Sequence, residues 1–109
     1  MRIGSGFERR AFGIAHALAL AEATCCRIPL VVDTPLGNAD SKYRERTMDA
    51  LTQADFLDQI IILTHDKEVD AKMHEKFKGK IRGTFLMEFD HEAKATQVYA
   101  GRYFEGDAQ

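Results

Sequence analysis

The chain has 109 residues, of which 45% are hydrophobic and 29% are charged. This length allows one domain with a single core, and the composition is typical of globular chains and unlike that of disordered ones. Fifteen basic and seventeen acidic residues leave a formal net charge of -2, which excludes a global positive field for nucleic acid or an anionic membrane, so any DNA contact must be local.

The cysteines and the apolar runs predict the compartment. Cys25 and Cys26 are the only cysteines and are adjacent, so they form neither a disulfide framework nor a zinc site. The N-terminal residues MRIGSGFERR are charged where a secretory signal is apolar. The apolar runs are far shorter than the ~20 residues that cross a bilayer. We therefore expect a soluble chain of the reducing cytoplasm with no membrane partner.

The first predicted element is a helix over residues 7–24. Ala and Leu dominate this stretch, and its apolar side chains recur at intervals of four and three residues, at Phe7, Ala11, Ile14, Leu18 and Ala21. His16 is the one strongly polar side chain in the middle of this helix and is expected to be structural. Because the helix is apolar on nearly every face, we expect a sheet or another subunit to cover it on more than one side.

A strand and a second helix follow. Residues 28–32, IPLVV, are apolar and largely β-branched and lead into Asp33, which is typical of a parallel strand that is buried on both faces. The next residues, TPLGNADS, have the composition of a turn. Asp40 or Ser41 is predicted to cap a helix that continues to about Gln53.

The second half of the chain repeats the pattern of strand and helix. Residues 59–63, QIIIL, predict another buried strand, and an apolar stripe over residues 69–77 predicts a third helix. Residues 81–89 and 95–99 predict an antiparallel hairpin. The predicted fold class is therefore α/β, with buried parallel strands flanked by helices and a C-terminal β-hairpin, in a single domain over residues 1–109.

The start of the first helix is a candidate anion site. Ser5 and Gly6 directly precede the apolar stretch, and the backbone amides of a helix N-terminus, together with a serine hydroxyl, can bind a phosphate. The same residues fit an ordinary capping box, in which Ser5 is the N-cap and Glu8 is its partner. Both interpretations stay open at this point.

Asp33 is a candidate metal-binding residue. It follows a predicted parallel strand, and open α/β sheets bind their ligands beyond the carboxyl ends of such strands. A carboxylate suits a magnesium ion that keeps most of its waters. Alternatively, Asp33 caps its own loop.

The order and spacing of these segments carry more information than any one of them. The first segment is a predicted helix start of the form S-x-x-E-R, and the second is an apolar strand followed by the residues DTP. Asp40 then comes seven residues after Asp33. The last segment is a second apolar strand, which is followed by Thr64, His65 and Asp66. In this order the chain resembles the C-terminal lobe of the heads of SMC-like, ABC-type ATPases, which are P-loop NTPases. The segment DTPLGNADS and the tail TFLMEFDHEAKATQVYAGRYF are similar to those of DndD-type ATPases of DNA sulfur modification, and the resemblance covers nearly the whole chain.

This resemblance implies that the first helix carries the signature motif of a shared nucleotide site. Ser5, Gly6 and Glu8 would then contact an ATP molecule held by the opposing subunit, with Ser5 and Gly6 at its γ-phosphate. Two positions of this signature motif depart from the general ABC pattern. Gly4 replaces the usual leucine, and Phe7 occupies the second glycine position, where its side chain narrows the approach of a phosphate.

The resemblance implies roles for four further residues. Asp33 would interact with Mg²⁺ through the waters of the ion, and Asp40 would couple the two sites of a head–head dimer. His65 would sense the γ-phosphate and help to position the attacking water. Thr34 stands where most ABC-type ATPases have the glutamate that polarises this water, and the DndD-type pattern also has threonine there. Slow hydrolysis or nucleotide-gated dimerisation is therefore as consistent with the sequence as brisk turnover.

The chain has no phosphate-binding loop of its own. Its only Gly-Lys pair, Gly79-Lys80, has His74 in place of the first glycine of G-x-x-x-x-G-K-[ST] and Ile81 in place of the hydroxyl residue. The coiled-coil heptads that join the two lobes of SMC-like heads are also missing. The resemblance thus implies ATP and Mg²⁺ as cofactors, a Walker A-containing N-terminal lobe or subunit as partner, and ATP hydrolysis only in the completed head.

The expected function is therefore that of a C-terminal ATPase-head half in DNA modification, repair or defence, with DNA contacted through the assembled complex. The alternative is a non-enzymatic lobe that docks on an ATPase partner as a regulator, and a third possibility is an unrelated α/β binding domain. Two basic clusters are predicted to be solvated helix faces, with a DNA backbone as a conceivable partner in an assembled head: Lys42, Arg44 and Arg46, and Lys76, Lys78 and Lys80.

Overall fold

A computed structural model describes residues 6–25, 27–37, 40–65 and 67–104. Its elements in chain order are α1 (Gly6–Thr24), β1 (Pro29–Asp33), α2 (Ser41–Thr52), β2 (Gln59–Leu63), α3 (Ala71–Phe77), a 3-10 turn (Lys78–Lys80), β3 (Phe85–Asp90) and β4 (Ala95–Ala100). The fold class is α/β, as predicted. The chain forms two compact units, which we call unit 1 (Met1–Met73) and unit 2 (His74–Gln109).

Helix α1 begins and ends close to the predicted residues. Thr24 closes its last turn, since the Thr24 hydroxyl donates a hydrogen bond to the Leu20 carbonyl at 2.7 Å. Cys25 follows with a φ of 53°, a left-handed conformation that ends a helix. The sequence predicts that other elements cover α1 on more than one side. The described part of unit 1 does not cover it in this way. Phe12 and Leu20 are 55% and 57% exposed, and Ala21 is the one residue of α1 described as buried.

Strands β1 and β2 pair in parallel, as the sequence predicts. The bounds of β2 match the prediction, and β1 lies one residue further along the chain than predicted. The register sets Val31 opposite Ile61 and Asp33 opposite Leu63. Since the strands point the same way, their carboxyl ends meet at one edge of the sheet.

The prediction that both faces of these strands are buried is wrong for this chain. On one face, Val31, Ile61 and Leu63 are 57%, 40% and 45% exposed. On the other face, Val32 is buried and Leu30 is half-buried. The physical reason is that the described elements of the chain cover one face of this sheet and leave the other face in contact with solvent.

Helix α2 starts at the predicted cap. The Asp40 carboxylate accepts a hydrogen bond from the Tyr43 backbone N–H at 3.0 Å, which satisfies one of the free amides of the first turn. The helix then buries Met48 and Leu51. These side chains belong to the core of unit 1, whose buried apolar residues are Ala21, Val32, Leu36, Met48, Leu51, Leu57, Val69 and Met73.

The predicted antiparallel hairpin is confirmed, although β3 begins at Phe85 and the four residues before it are not in a strand. The turn between β3 and β4 is held by Asp90, whose carboxylate accepts hydrogen bonds from the N–H groups of Glu92 and Ala93 at 2.9 and 3.1 Å. Lys94 closes it with a φ of 53°. No helix in the described ranges has both the length and the apolarity needed to cross a bilayer.

The N-cap of α2 makes a first prediction. Replacing Asp40 with alanine leaves the Tyr43 amide without its acceptor and should lower the free energy of unfolding by about 1 kcal/mol. Asp40→Asn retains an acceptor and should cost less. The measurement is urea denaturation followed by far-UV circular dichroism, with the exposed Lys42→Ala on the same helix as control. Equal losses in the alanine and asparagine variants would contradict the capping role.

Candidate functional site

The candidate site lies where β1 and β2 end. The Thr34 N–H donates a hydrogen bond to the Leu63 carbonyl at 2.8 Å, one residue beyond the last pair of the ladder. Asp33 and Thr34 therefore stand beside Leu63, and His65 follows two residues later. We call residues 33–37, 63–65, 67 and 68 the carboxyl edge. The Asp33 and His65 side chains are exposed there, as a ligand-binding role requires.

Thr34 has an unusual backbone conformation at this edge. Its φ is 45°, which lies in the left-handed region and is rare for a β-branched residue. The turn that follows holds it there: the Gly37 N–H points to the Thr34 carbonyl at 3.4 Å, and Pro35 and Leu36 are buried. The chain therefore bends sharply after Asp33, and nothing in the composition of the segment signals which residue takes the strained position.

A buried glutamate connects the two loops of the carboxyl edge. Glu68 is 2% exposed. One of its carboxylate oxygens accepts a hydrogen bond from the Leu36 backbone N–H, in the loop after β1. The other accepts one from the Thr64 hydroxyl at 2.8 Å, in the loop after β2. Glu68 thereby fixes the two loops relative to each other.

Sequence reasoning missed Glu68. It lies in the polar stretch THDKEVD, which has the composition of an exposed loop. In the structure, the His65 carbonyl accepts hydrogen bonds from the N–H groups of Glu68 and Val69, both at 3.0 Å. This tight turn brings the Glu68 side chain back toward Thr64. The available signal was the apolar Val69 directly after it, which marks the point where the loop returns to the core.

Helix α1 reaches the carboxyl edge through Arg10. The Arg10 guanidinium donates a hydrogen bond to the Gly37 carbonyl at 2.9 Å. Gly6 lies one turn earlier on the same side, since a β-carbon built there would be 3.9 Å from Arg10 Nη1. The first turn of α1 therefore lies beside the loop after β1. Ser5, the other residue expected to contact a phosphate, lies outside the described residues.

The remaining predicted residues lie on the two helices. Glu8 is exposed in the first turn of α1. Asp40 is exposed and caps α2. One turn further along α2, the Arg44 guanidinium donates to the carbonyls of Lys67 and Glu68 at 3.1 and 3.2 Å, so α2 is joined to the loop after β2.

These residues define what the carboxyl edge can do chemically. It offers an exposed carboxylate at Asp33, an imidazole at His65 and, at Gly6, the start of a helix whose first N–H groups have no partner within the helix. Within the described ranges, no group of three His, Cys, Asp or Glu side chains could hold a metal ion. A single exposed carboxylate such as that of Asp33 can contact a hydrated cation through the waters that the ion keeps.

Comparisons with known proteins add no family. No protein-family model and no curated protein sequence matches the chain. The family expected from the motif order stays a prediction.

The buried carboxylate makes a second prediction. Glu68→Ala leaves the Leu36 amide and the Thr64 hydroxyl without their acceptor in a buried place, and should lower the free energy of unfolding by roughly 2 to 4 kcal/mol. Glu68→Gln should lose less, because its amide can accept from Leu36 and donate to the Thr64 oxygen. Urea denaturation measures both, with the exposed Glu22→Ala as control. A loss in Glu68→Ala no greater than in the control would refute the connecting role.

Proposed function

We propose that this chain is the C-terminal half of an ATPase head of the SMC-like, DndD-like class, which contributes signature, Walker B and switch elements to a composite ATP site. The observation that carries the proposal is the shared edge of β1 and β2. Asp33 and Thr34 lie there beside the end of β2, and His65 follows within the same edge. These are the positions that the motif order selects, although they are some thirty residues apart in sequence.

The first turn of α1 supports the same proposal. Gly6 lies beside the loop after β1 through Arg10 and Gly37, so a phosphate near Gly6 would face the amides of a helix start. That phosphate belongs to a nucleotide held by the opposing subunit, because this chain has no G-x-x-x-x-G-K-[ST] loop. The chain therefore completes a site and does not form one alone.

The absence of a carboxylate at position 34 determines the rate of ATP hydrolysis that we expect. Thr34 has no carboxylate with which to polarise a water. Glu68 does not replace it, since it is buried and both of its oxygens accept hydrogen bonds within the fold. His65 is an exposed group at the edge that can orient a water, and catalysis of phosphoryl transfer depends mostly on positioning and charge stabilisation. We expect slow, Mg²⁺-dependent hydrolysis that is coupled to engagement of two heads.

Asp33 is the residue that would interact with Mg²⁺ and its waters. When bound, the ion neutralises charge on the phosphates. The chain's own contribution is a single carboxylate at the end of β1, held in register by the pairing of Asp33 with Leu63.

A specific observation favours the second candidate, a non-enzymatic lobe that docks on an ATPase partner. The face of the sheet that carries Val31, Ile61 and Leu63 is exposed and apolar, which is typical of a surface that another protein covers. Docking through this face requires no nucleotide. The two functions therefore differ in what the carboxyl edge does and not in whether a partner binds.

Reconstitution makes a third prediction. The full chain alone should not bind a fluorescent ATP analogue, and should gain binding and Mg²⁺-dependent phosphate release when mixed with the P-loop lobe of a DndD-type ATPase. His65→Ala should lower the hydrolysis rate about 100-fold with little change in nucleotide affinity, because it acts on the water. His16→Ala is the matched control, since His16 is exposed in the middle of α1, about 15 Å along the helix from Gly6.

Two results would contradict the ATPase assignment. One is nucleotide binding that does not increase when the P-loop lobe is added. The other is an Asp33→Asn variant that loses assembly with the lobe and keeps its nucleotide affinity, which would support the docking module instead.

A further inference from the structure

The acidic side chains of the hairpin strands lie on one face, together with Leu86 and Tyr99, and the other face is uncharged. Directly opposed residues of an antiparallel pair lie on the same face. One face therefore carries the pairs of Phe85 with Ala100, Met87 with Val98 and Phe89 with Thr96. We call these six residues the aromatic face. It bears no charged side chain, whereas Glu88 and Asp90 alternate onto the other face.

The aromatic face is open to solvent. Phe85, Met87 and Phe89 are 65%, 63% and 55% exposed, and Val98 is 57% exposed. The two phenylalanines are four residues apart on one strand, which separates their rings by about 13 Å along β3. The His91 ring contacts the Phe89 ring at an interplanar angle of 84°, with the centroids 4.9 Å apart. The spacing of the two phenylalanines allows each exposed ring to contact a separate flat group.

A basic groove adjoins this face at Phe85. A cavity of about 430 Å³ is lined by Phe85 and by His74, Lys78 and Arg82, with no acidic side chain in its lining. Arg82 is exposed and has no hydrogen bond or ion pair with the described residues. Lys78 pairs with Glu75 at 2.8 Å, but both side chains are more than half exposed, so a phosphate can displace that pair at little cost.

The charge of this groove is local. Residues 74–82 contain four Lys or Arg and one acidic residue, in a chain whose formal net charge is -2. Within the same unit, the ammonium groups of Lys76 and Lys80 lie 5.6 and 5.8 Å from the centre of the Phe77 ring. Cation–π contacts with this buried ring thus help to position two further basic side chains, which are neighbours of Lys78 in the sequence.

We propose that the unit over residues 74–104 binds single-stranded nucleic acid. Bases stack on the rings of Phe85 and Phe89, and Lys78 and Arg82 bind the backbone phosphates. Exposed aromatic side chains on a sheet next to a basic groove are the combination that single strands require, because every unpaired base presents a flat face and every linkage a charge. A duplex buries its base faces and offers the rings nothing to stack on.

The observations favour a nucleic-acid strand over an anionic bilayer or a protein. A bilayer attracts a surface whose basic residues surround the apolar patch, but here Lys78 and Arg82 lie at the Phe85 end. The turn at the Phe89 end has one basic residue, Lys94, and one acidic residue, Glu92. An apolar protein partner would need neither Lys78 nor Arg82. The proposal stands independently of the ATPase assignment, since it concerns the other unit of the chain.

Fluorescence anisotropy of a labelled oligothymidine with the full-length chain makes the fourth prediction. Phe89→Ala should weaken binding on the order of 5- to 150-fold, the range of one stacked base. Phe89→Tyr should bind like the unaltered chain, and Phe89→Leu should bind like the alanine variant, because only a ring can stack. Since Phe89 is exposed, circular dichroism should show these variants folded.

The phosphate contacts are tested by charge and salt. Arg82→Glu should weaken binding and reduce the slope of log affinity against log salt concentration by about 0.7. Lys42→Glu makes the same charge change on the exposed surface of α2 and should have little effect.

Any one of four results would overturn the proposal: no saturable binding at low salt, equal loss of affinity in both charge variants, full binding by Phe89→Leu, or tighter binding of anionic vesicles or of duplex than of the single strand.

Discussion

The geometry of the carboxyl edge depends on one buried carboxylate. Glu68 accepts hydrogen bonds from the Leu36 amide and the Thr64 hydroxyl, and these two donors belong to loops that the chain reaches by separate strands. A buried amide without an acceptor is costly, so the loop after β1 keeps its shape only while the loop after β2 supplies the carboxylate. The positions of Thr34 and His65, the groups that would face a water, therefore depend on a residue that touches no ligand.

Two arginines extend this arrangement to the helices. Arg10 donates to the Gly37 carbonyl and Arg44 donates to the Lys67 and Glu68 carbonyls. Each uses a long side chain to join a helix to a loop, so that α1 and α2 both begin near the carboxyl edge. Hydrogen bonds from both helices therefore hold the loops of the carboxyl edge, whereas the face of the sheet with Val31, Ile61 and Leu63 is exposed to solvent.

The elements were predictable where the causes are local. The cap at Asp40, the bounds of β2 and the existence of the hairpin all follow from side-chain chemistry within a few residues. The burial of β1 and β2 was not predictable in this way. An apolar sequence indicates that a strand can be buried, but it does not show whether other elements pack against both of its faces. Glu68 and the left-handed Thr34 were not predicted for a related reason. The hydrogen bonds of Glu68 with Leu36 and of Thr34 with Leu63 join residues that are far apart in the sequence. The grouping of Asp33, Thr34 and His65 could be anticipated, since parallel strands bring their ends together.

The pairing of β1 with β2 also has a consequence for how the protein is made. Asp33 and Leu63 are partners thirty positions apart, so the sheet cannot form until a long stretch of chain has been synthesised and closed into a loop. Until then, both edges of each apolar strand are unpaired, and the described two-stranded sheet still leaves one edge of each strand without a neighbouring strand. Unpaired edges are places where strands of other chains can add, so overproduction of this polypeptide should favour its aggregation during synthesis.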